Sequence, residues 1–124
     1  MKSLLYIGIG GGLGSILRYI VQVFIGRHVP LIFPLGTFVV NCSGCFLIGI
    51  FYSLATKYTT ITPEWRLFLI TGICGGFTTF STFAFENMSL LRSGDFLYFS
   101  IYIVASVALG IAGVFAGVVI MKLL

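Results

Sequence analysis

Long apolar stretches alternate with short charged or proline-containing segments along the whole chain. No formally charged residue occurs between Arg27 and Lys57, and none occurs between Asp95 and Lys122. A helix needs about 20 predominantly apolar residues to cross a lipid bilayer. The pattern therefore predicts four membrane-spanning helices, which are Leu4–Gly26, Leu35–Thr56, Leu67–Leu91 and Phe96–Met121.

The composition indicates a lipid environment for the whole chain. Charged residues make up 8% of the sequence and hydrophobic residues 59%, with a mean hydropathy of +1.16, values foreign to soluble globular domains. Four spans occupy most of the 124 residues. We therefore expect one all-α membrane domain, residues 1–124, without a soluble catalytic lobe. The first span contains Arg18 and has no small-residue cleavage site, so we expect it to be retained and not removed as a signal peptide.

The third predicted span differs from the others in its middle. It has no charged residue between Arg66 and Glu86, but it contains the run GGFTTFSTF at Gly75–Phe83. Glycine and threonine are poor helix formers, so we expect this helix to be broken. Lipid does not tolerate unpaired backbone groups, which places the break in the protein interior or against a polar cavity.

The charges bear on partners and on orientation. Net charge is +4, but the basic residues are scattered singly, so no polybasic segment indicates a nucleic-acid partner. Lys2, Lys57, Arg66 and Lys122 would lie on the side of both termini, and Arg27 and Arg92 on the other side. This small difference gives only a weak orientation preference. Chains that insert in both orientations can assemble as antiparallel homodimers with a two-fold axis in the membrane plane. Because one chain encloses little volume, we expect a dimer.

Several polar side chains lie within predicted spans, where lipid makes an unpaired polar group costly. Arg18 either extends to the nearer membrane surface or holds a positive potential in a water-filled vestibule, and we favour the vestibule. Asn41 either makes a hydrogen bond between helices or directs an amide donor into a pore. Tyr102, Ser106 and Gly110 recur every four residues and would form one narrow stripe on the fourth span.

Phe80 and Phe83 would share one face of the segment that follows the break. The edge of an aromatic ring is electropositive, so these rings could stabilise a desolvated anion, although packing in the interior is the simpler explanation. Carbonyls released by the break are hard oxygen ligands suited to a small cation. Glu86 follows one turn later, and its negative charge argues against direct anion binding. The one histidine, His28, excludes a multi-histidine metal site or a Ser-His-Asp triad, so we do not expect an enzyme.

Three long, ordered strings carry a resemblance to a known family. They are GGLGSILRY at 11–19, PLGTFVVNCSGCFLIG at 34–49 and GICGGFTTFSTFAFE at 72–86. With the length and the number of spans, they make the sequence closely resemble the Fluc (CrcB) family of fluoride channels. The resemblance implies an antiparallel, dual-topology homodimer in the bacterial inner membrane, with two pores that export fluoride passively and reject chloride.

The resemblance also implies roles for individual residues. Phe80 and Phe83 would line the pores as an aromatic pair, with Asn41 as an amide donor beside them. The backbone carbonyls of Gly75 and Thr78 would bind a structural Na⁺ on the dimer axis. The remaining candidates are Arg18 as a vestibule arginine, and Thr79, Ser81, Thr82, Glu86, Tyr102 and Ser106 as a polar track.

Two alternatives from other classes are open at this point. A dual-topology small multidrug transporter also has four spans and a similar length, but it needs a carboxylate in its first span to couple protons to cation export. The only charged residue within this first span is Arg18. A noncatalytic assembly subunit would make the third-span motif a packing element. The second chain of the dimer is either an identical copy or a homologous chain.

Overall fold

The computed structural model describes residues 1–124 and contains only helices and their connections. Four helical stretches are long and apolar enough to cross a membrane, which confirms the predicted number of spans. The helices are α1 Lys2–His28, α2 Leu35–Lys57, α3 Pro63–Arg66, α4 Gly75–Phe77, α5 Phe80–Arg92 and α6 Phe96–Leu123, with a π-helical segment, Leu67–Cys74, between α3 and α4.

The helices extend slightly beyond the predicted spans because they continue into polar residues. α1 ends at His28, before the proline-containing loop 29–34, and α2 ends at Lys57. Lys122 likewise lies in the last turn of α6. Basic side chains in a last turn interact favourably with the negative end of the helix dipole. Bounds drawn from hydropathy alone therefore stop short of these turns.

The third membrane-crossing stretch begins with a capped turn. The Thr62 hydroxyl accepts a hydrogen bond from the Trp65 N–H at 3.4 Å, and Pro63 occupies the first helical position, an arrangement that satisfies a free amide at a helix start. The backbone then runs through the π-helical segment and α4. Thr78 and Thr79 have extended dihedral angles, φ −87° and ψ 158° and then φ −151° and ψ 116°, before α5 begins.

Two close pairings form the centre of the chain. α1 packs against the π-helical segment and α4, and α2 packs along α6. Glycines allow these backbones to approach, since a Cβ added at Gly72 would lie 2.9 Å from the Gly10 Cα and one at Gly113 would lie 3.3 Å from the Cys42 carbonyl oxygen. Close contact through small residues is how helices commonly associate in lipid. The pairings fix how each helix is rotated about its axis.

The chain buries few of its own side chains. Only 16 of 124 residues are buried, and every membrane-crossing stretch exposes large apolar side chains. An apolar surface of this extent is stable only against lipid or another protein. The fold therefore has the all-α membrane character that the sequence predicts.

Candidate functional site

Asn41 joins α2 to the extended residues of the third stretch. Its Nδ2 donates to the Thr79 carbonyl oxygen at 3.0 Å, and its Oδ1 accepts from the Thr79 N–H at 2.8 Å. Both backbone groups of one residue are thus paired by one side chain. Of the two roles predicted for Asn41, the interhelical hydrogen bond is present. One N–H of the amide is left over for any group in the adjacent cavity.

The hydroxyl groups after the break bond chiefly to one another. The Thr79 Oγ1 accepts from the Thr82 N–H at 3.2 Å and donates to the Thr82 Oγ1 at 3.1 Å. Ser81 Oγ lies 3.4 Å from the same Thr79 oxygen. Thr79 is therefore the N-cap of α5, which explains why the helix restarts at Phe80.

Two backbone carbonyls near the extended residues lose their usual helical donors. In a continuous helix the Thr79 N–H would bond to the Gly75 carbonyl, and the Thr82 N–H would bond to the Thr78 carbonyl. Asn41 and the Thr79 hydroxyl take these two donors instead. The carbonyls of Gly75 and Thr78 are released from the helical ladder, and their hard oxygens fit the chemistry of a small cation.

Arg18 is directed toward the third membrane-crossing stretch. Its Nη1 donates to the Thr78 carbonyl oxygen at 3.4 Å, and one turn earlier Ser15 Oγ donates to the Gly76 carbonyl oxygen at 3.5 Å. α1 thus supplies donors to the backbone around the extended residues. A cation bound to the Thr78 carbonyl would share that oxygen with a guanidinium, so a Na⁺ ion there needs further oxygen ligands to offset the repulsion.

A cavity of about 300 Å³ lies between α2, the extended residues, the start of α5 and the middle of α6. No charged side chain lines it. Ser106 Oγ is buried at its wall and has no hydrogen-bond partner in the chain. The polar and aromatic side chains that it brings together are those of Asn41, Thr78, Thr79, Phe80, Phe83 and Ser106.

The aromatic rings connect this cavity to the interior. The ring centroids of Phe80 and Phe83 are 5.8 Å apart, and the edge-to-face pair of Phe83 and Tyr102 has centroids 4.8 Å apart. Phe80 is 79% exposed and Tyr102 is fully buried. Packing in the interior therefore accounts for Phe83 but not for Phe80. Phe80 presents its ring to the outside of the single chain.

A second cavity, of about 280 Å³, lies beside the loop 29–34. The Tyr102 hydroxyl donates to Glu86 Oε1 at 3.0 Å, and Glu86 lines this cavity together with Thr82, Gln22 and Thr37. Tyr102 therefore touches Phe83 of the first cavity with its ring and Glu86 of the second with its hydroxyl.

Sequence reasoning missed Gln22 and Thr37. Gln22 Nε2 donates to Thr37 Oγ1 at 3.1 Å. A spacing signal was present, because Thr37 lies one turn before Asn41 on α2 and Gln22 lies one turn after Arg18 on α1. Both residues lie close to an end of a predicted span, where a polar side chain costs little, so their positions in the sequence did not mark them as site residues.

The predicted site residues thus fall into two neighbouring groups. Ser81 is exposed at the surface of α5, and its side chain makes a hydrogen bond with the Thr79 hydroxyl. Gly75 lines neither cavity, and its predicted role rests on its carbonyl alone. Tyr102 also lines neither cavity, but it contacts Phe83 of the first and Glu86 of the second. The remaining candidates lie at the first cavity, at the second cavity or on the Thr78 carbonyl.

Known sequences match this chain over nearly all of the helices described above. The profile of the family described as "CrcB-like protein, Camphor Resistance (CrcB)" matches residues 5–118. A protein of Phocaeicola vulgatus named "Fluoride-specific ion channel FluC" is 52% identical over 118 residues, which are 95% of this chain and 97% of that protein.

Two further relatives carry the same name. The protein of Flavobacterium psychrophilum is 47% identical over 122 residues, which are 98% of each chain. The protein of Leptospira interrogans is 45% identical over 121 residues, which are 98% of this chain and 95% of that protein. The similarity runs from the first membrane-crossing helix to the last and includes both cavities.

Proposed function

Because the chain belongs to the CrcB family, we propose that it is a fluoride-selective channel that exports cytoplasmic fluoride passively through two pores at an antiparallel dimer interface. Four apolar helices and channel relatives from bacteria make it a multi-pass bacterial membrane protein, and we assign it to the inner membrane. The relatives are named as ion channels, a non-enzymatic class, so the chain is not an enzyme.

The observation that carries the proposal is the uncharged, partly polar cavity at Asn41, Phe80, Phe83 and Ser106. Fluoride is small and strongly hydrated, so a selective pore must replace water with N–H, O–H and aromatic-edge donors at close range. The spare Asn41 N–H and the partnerless Ser106 hydroxyl are donors of this kind. With no fixed cation in the wall, the anion is not held so tightly that it cannot leave.

A second copy of the chain would complete the pore. Phe80 lines the cavity and is 79% exposed, so one wall of the cavity is open at the surface of the single chain. A pairing partner that covers this surface converts an open cavity into a narrow path, which excludes the larger chloride ion. The weak charge asymmetry between the two membrane sides supports insertion in both orientations and hence an antiparallel pair.

We assign the polar track to the residues that link the two cavities. Thr79, Ser81 and Thr82 form a connected set of hydroxyls beside Asn41. The pair of Tyr102 and Glu86 continues from the aromatic wall into the second cavity, where Thr82 also lies. Arg18 would raise the anion concentration near the path by its positive charge.

The predicted Na⁺ fits the carbonyls released beside Asn41. Gly75 and Thr78 of one chain supply two oxygens, which is too few for a cation of this kind. A two-fold axis would double the set and would place four carbonyl dipoles around the ion, enough to oppose the Arg18 guanidinium. The ion would tie the two chains together and hold the extended residues in place.

Passive conduction is sufficient for export. Hydrogen fluoride is a neutral weak acid that crosses bilayers from an acidic exterior and ionises in the cytoplasm, where the anion accumulates. A negative membrane potential drives the anion outward through an open path, since one charge gains about 2.3 kcal/mol per 100 mV.

Fluoride efflux from liposomes tests the proposal. Purified protein reconstituted into vesicles loaded with potassium fluoride should release fluoride to an external electrode when valinomycin carries the compensating K⁺. Vesicles loaded with potassium chloride should retain chloride. If fluoride stays inside while chloride or a quaternary ammonium crosses, the channel proposal is wrong.

Aromatic substitutions locate the path. Phe80→Ile should abolish most of the fluoride efflux and leave the dimer assembled, as judged by cross-linking in detergent. Phe85→Ile is the matched control, because Phe85 is also strongly exposed, at 71%, but lies outside both cavities. Equal rates for the two variants would place the pore elsewhere.

A further inference from the structure

Two lysines from different helices border one cavity where α2 and α6 end. Lys57 lies in the last turn of α2, and Lys122 lies in the last turn of α6. Both side chains line a third cavity, of about 380 Å³, to which Tyr52 and Ser53 add hydroxyl groups. No acidic side chain lines this cavity. Two ammonium groups with hydroxyls beside them are a lining that suits a bound anion, because hydrogen bonds from charged donors are the stronger ones.

Helix capping explains only part of this arrangement. Lys57 Nζ donates to the Met121 carbonyl oxygen at 3.5 Å, which is one of the carbonyls that the end of α6 leaves without a helical donor. The same nitrogen lies 5.7 Å from the centre of the Tyr58 ring. These contacts hold the Lys57 ammonium beside the last turn of α6 and use one of its three protons. The other two protons are free to bind an acceptor in the cavity.

The third cavity lies at the depth of the lipid headgroups. Tyr58 and Trp65, close to the loop that follows α2, are both about half exposed, and such amphipathic rings favour the boundary between lipid and water. Val118 and Met121 form an apolar side of the cavity. A molecule that joins a negative charge to an apolar body therefore fits this site better than a free anion does.

A neighbouring cavity, also of about 380 Å³, adds a third positive charge. Arg66 lines it, and Tyr52 lines both cavities and so lies between them. Glu64 is the only acidic residue near this end of the helices, and it lines neither cavity. The positive charges here are therefore not balanced by a carboxylate within either cavity.

We propose that the third cavity binds the phosphate group of an anionic phospholipid between Lys57 and Lys122. Basic pockets between membrane-crossing helices commonly bind anionic headgroups, and phospholipid is the phosphate source that surrounds this depth of the protein. The site is independent of the proposed fluoride path, because it shares no lining residue with the first or the second cavity.

Native mass spectrometry of the protein purified in maltoside tests this proposal. The protein is titrated with phosphatidylglycerol and, separately, with phosphatidylcholine of the same acyl chains. We expect one tightly bound phosphatidylglycerol per chain and weaker binding of phosphatidylcholine. A lysine near an anionic headgroup contributes about a fivefold factor in affinity. Lys57→Gln and Lys122→Gln should each weaken phosphatidylglycerol binding about fivefold, and the double variant about twenty-five-fold, without changing phosphatidylcholine binding.

Two further variants separate a site from a general effect of charge. Lys2→Gln removes a positive charge near the same end of the helices, but Lys2 does not line the third cavity, so lipid affinity should not change. Lys57→Arg keeps the charge and should keep the affinity. Both lysines are exposed, so neither substitution disturbs a packed interior.

Four results would overturn the proposal. They are equal affinities for the two lipids, equal weakening by Lys2→Gln and Lys57→Gln, unchanged phosphatidylglycerol affinity in the double variant, and displacement of the lipid by inorganic phosphate. The last result would show that the cavity takes free phosphate and not a lipid headgroup. Fluoride efflux is not part of the readout, so the lipid site and the proposed channel function stand or fall separately.

Discussion

Replacing Asn41 by leucine removes two hydrogen bonds to the backbone of a single residue. The Thr79 carbonyl and the Thr79 N–H, now paired with Asn41 at 3.0 and 2.8 Å, would both lose their partner. An unsatisfied buried peptide group costs about 1–3 kcal/mol. Polar side-chain bonds measured in membrane proteins contribute less, about 0.6 kcal/mol on average, because the unfolded chain also finds partners.

The Thr79 N–H has one alternative acceptor after the substitution. It could return to the Gly75 carbonyl if Thr79 abandoned its extended dihedral angles, which would lengthen the helix and shift Phe80 out of the cavity. With that partial recovery, we expect Asn41→Leu to lower the free energy of unfolding by about 2–4 kcal/mol. Fluoride efflux should fall more steeply than stability, because the aromatic wall moves.

Unfolding in mixed SDS and maltoside micelles, followed by the fluorescence of the single tryptophan, Trp65, measures this cost. Asn87→Leu is the matched control. Asn87 is also buried, at 6% exposure, but its Nδ2 donates at 2.9 Å to the Phe83 carbonyl one turn away in the same helix, and its Oδ1 has no partner. That substitution should change stability by less than about 1 kcal/mol. Equal unfolding free energies for the two variants would refute the assignment of Asn41 as the support of the extended residues.

Three further predictions concern packing, the polar pair and the cation. Gly76→Ala should destabilise the protein by about 1–3 kcal/mol, because an added Cβ would press on the Gly11 backbone. Gly8→Ala is the control, since a Cβ added there has no other atom within 4 Å and should not destabilise the protein. Equal unfolding midpoints for the two variants would contradict this prediction. Tyr102→Phe removes the donor to Glu86 and should slow fluoride efflux about tenfold without dissociating the dimer, so an unchanged rate would exclude the pair from the path. Exchanging Na⁺ for N-methylglucamine should lower the thermal midpoint of the dimer, and identical midpoints would argue against a structural cation.

Hydropathy alone determined the number and approximate bounds of the membrane-crossing helices. Lipid is the solvent for most of this chain, and it penalises every charged or unpaired polar group within it. The apolar stretches could therefore adopt few other structures. The sequence also carries the family resemblance. Long ordered strings such as GICGGFTTFSTFAFE can be matched residue by residue without any knowledge of the folded structure.

The partners of the polar side chains were decided by the tertiary structure. Asn41 and Thr79 are 38 residues apart, and Gln22 and Thr37 lie on different helices. Periodicity shows that Asn41 lies inside a span, but it does not tell which way the helix is rotated or what the amide meets. That rotation depends on where backbones approach most closely, as at Gly10 and Gly72.

The order of the residues is thus enough to predict four apolar helices, an irregular third stretch and a short set of costly polar groups. The hydrogen bonds of Asn41 to both backbone groups of Thr79, of Arg18 to the Thr78 carbonyl and of Gln22 to Thr37 follow from the packing of the folded chain. Hydropathy is a local property of the chain, whereas a hydrogen bond between helices depends on the positions of two distant segments and on the glycine contacts that bring them together.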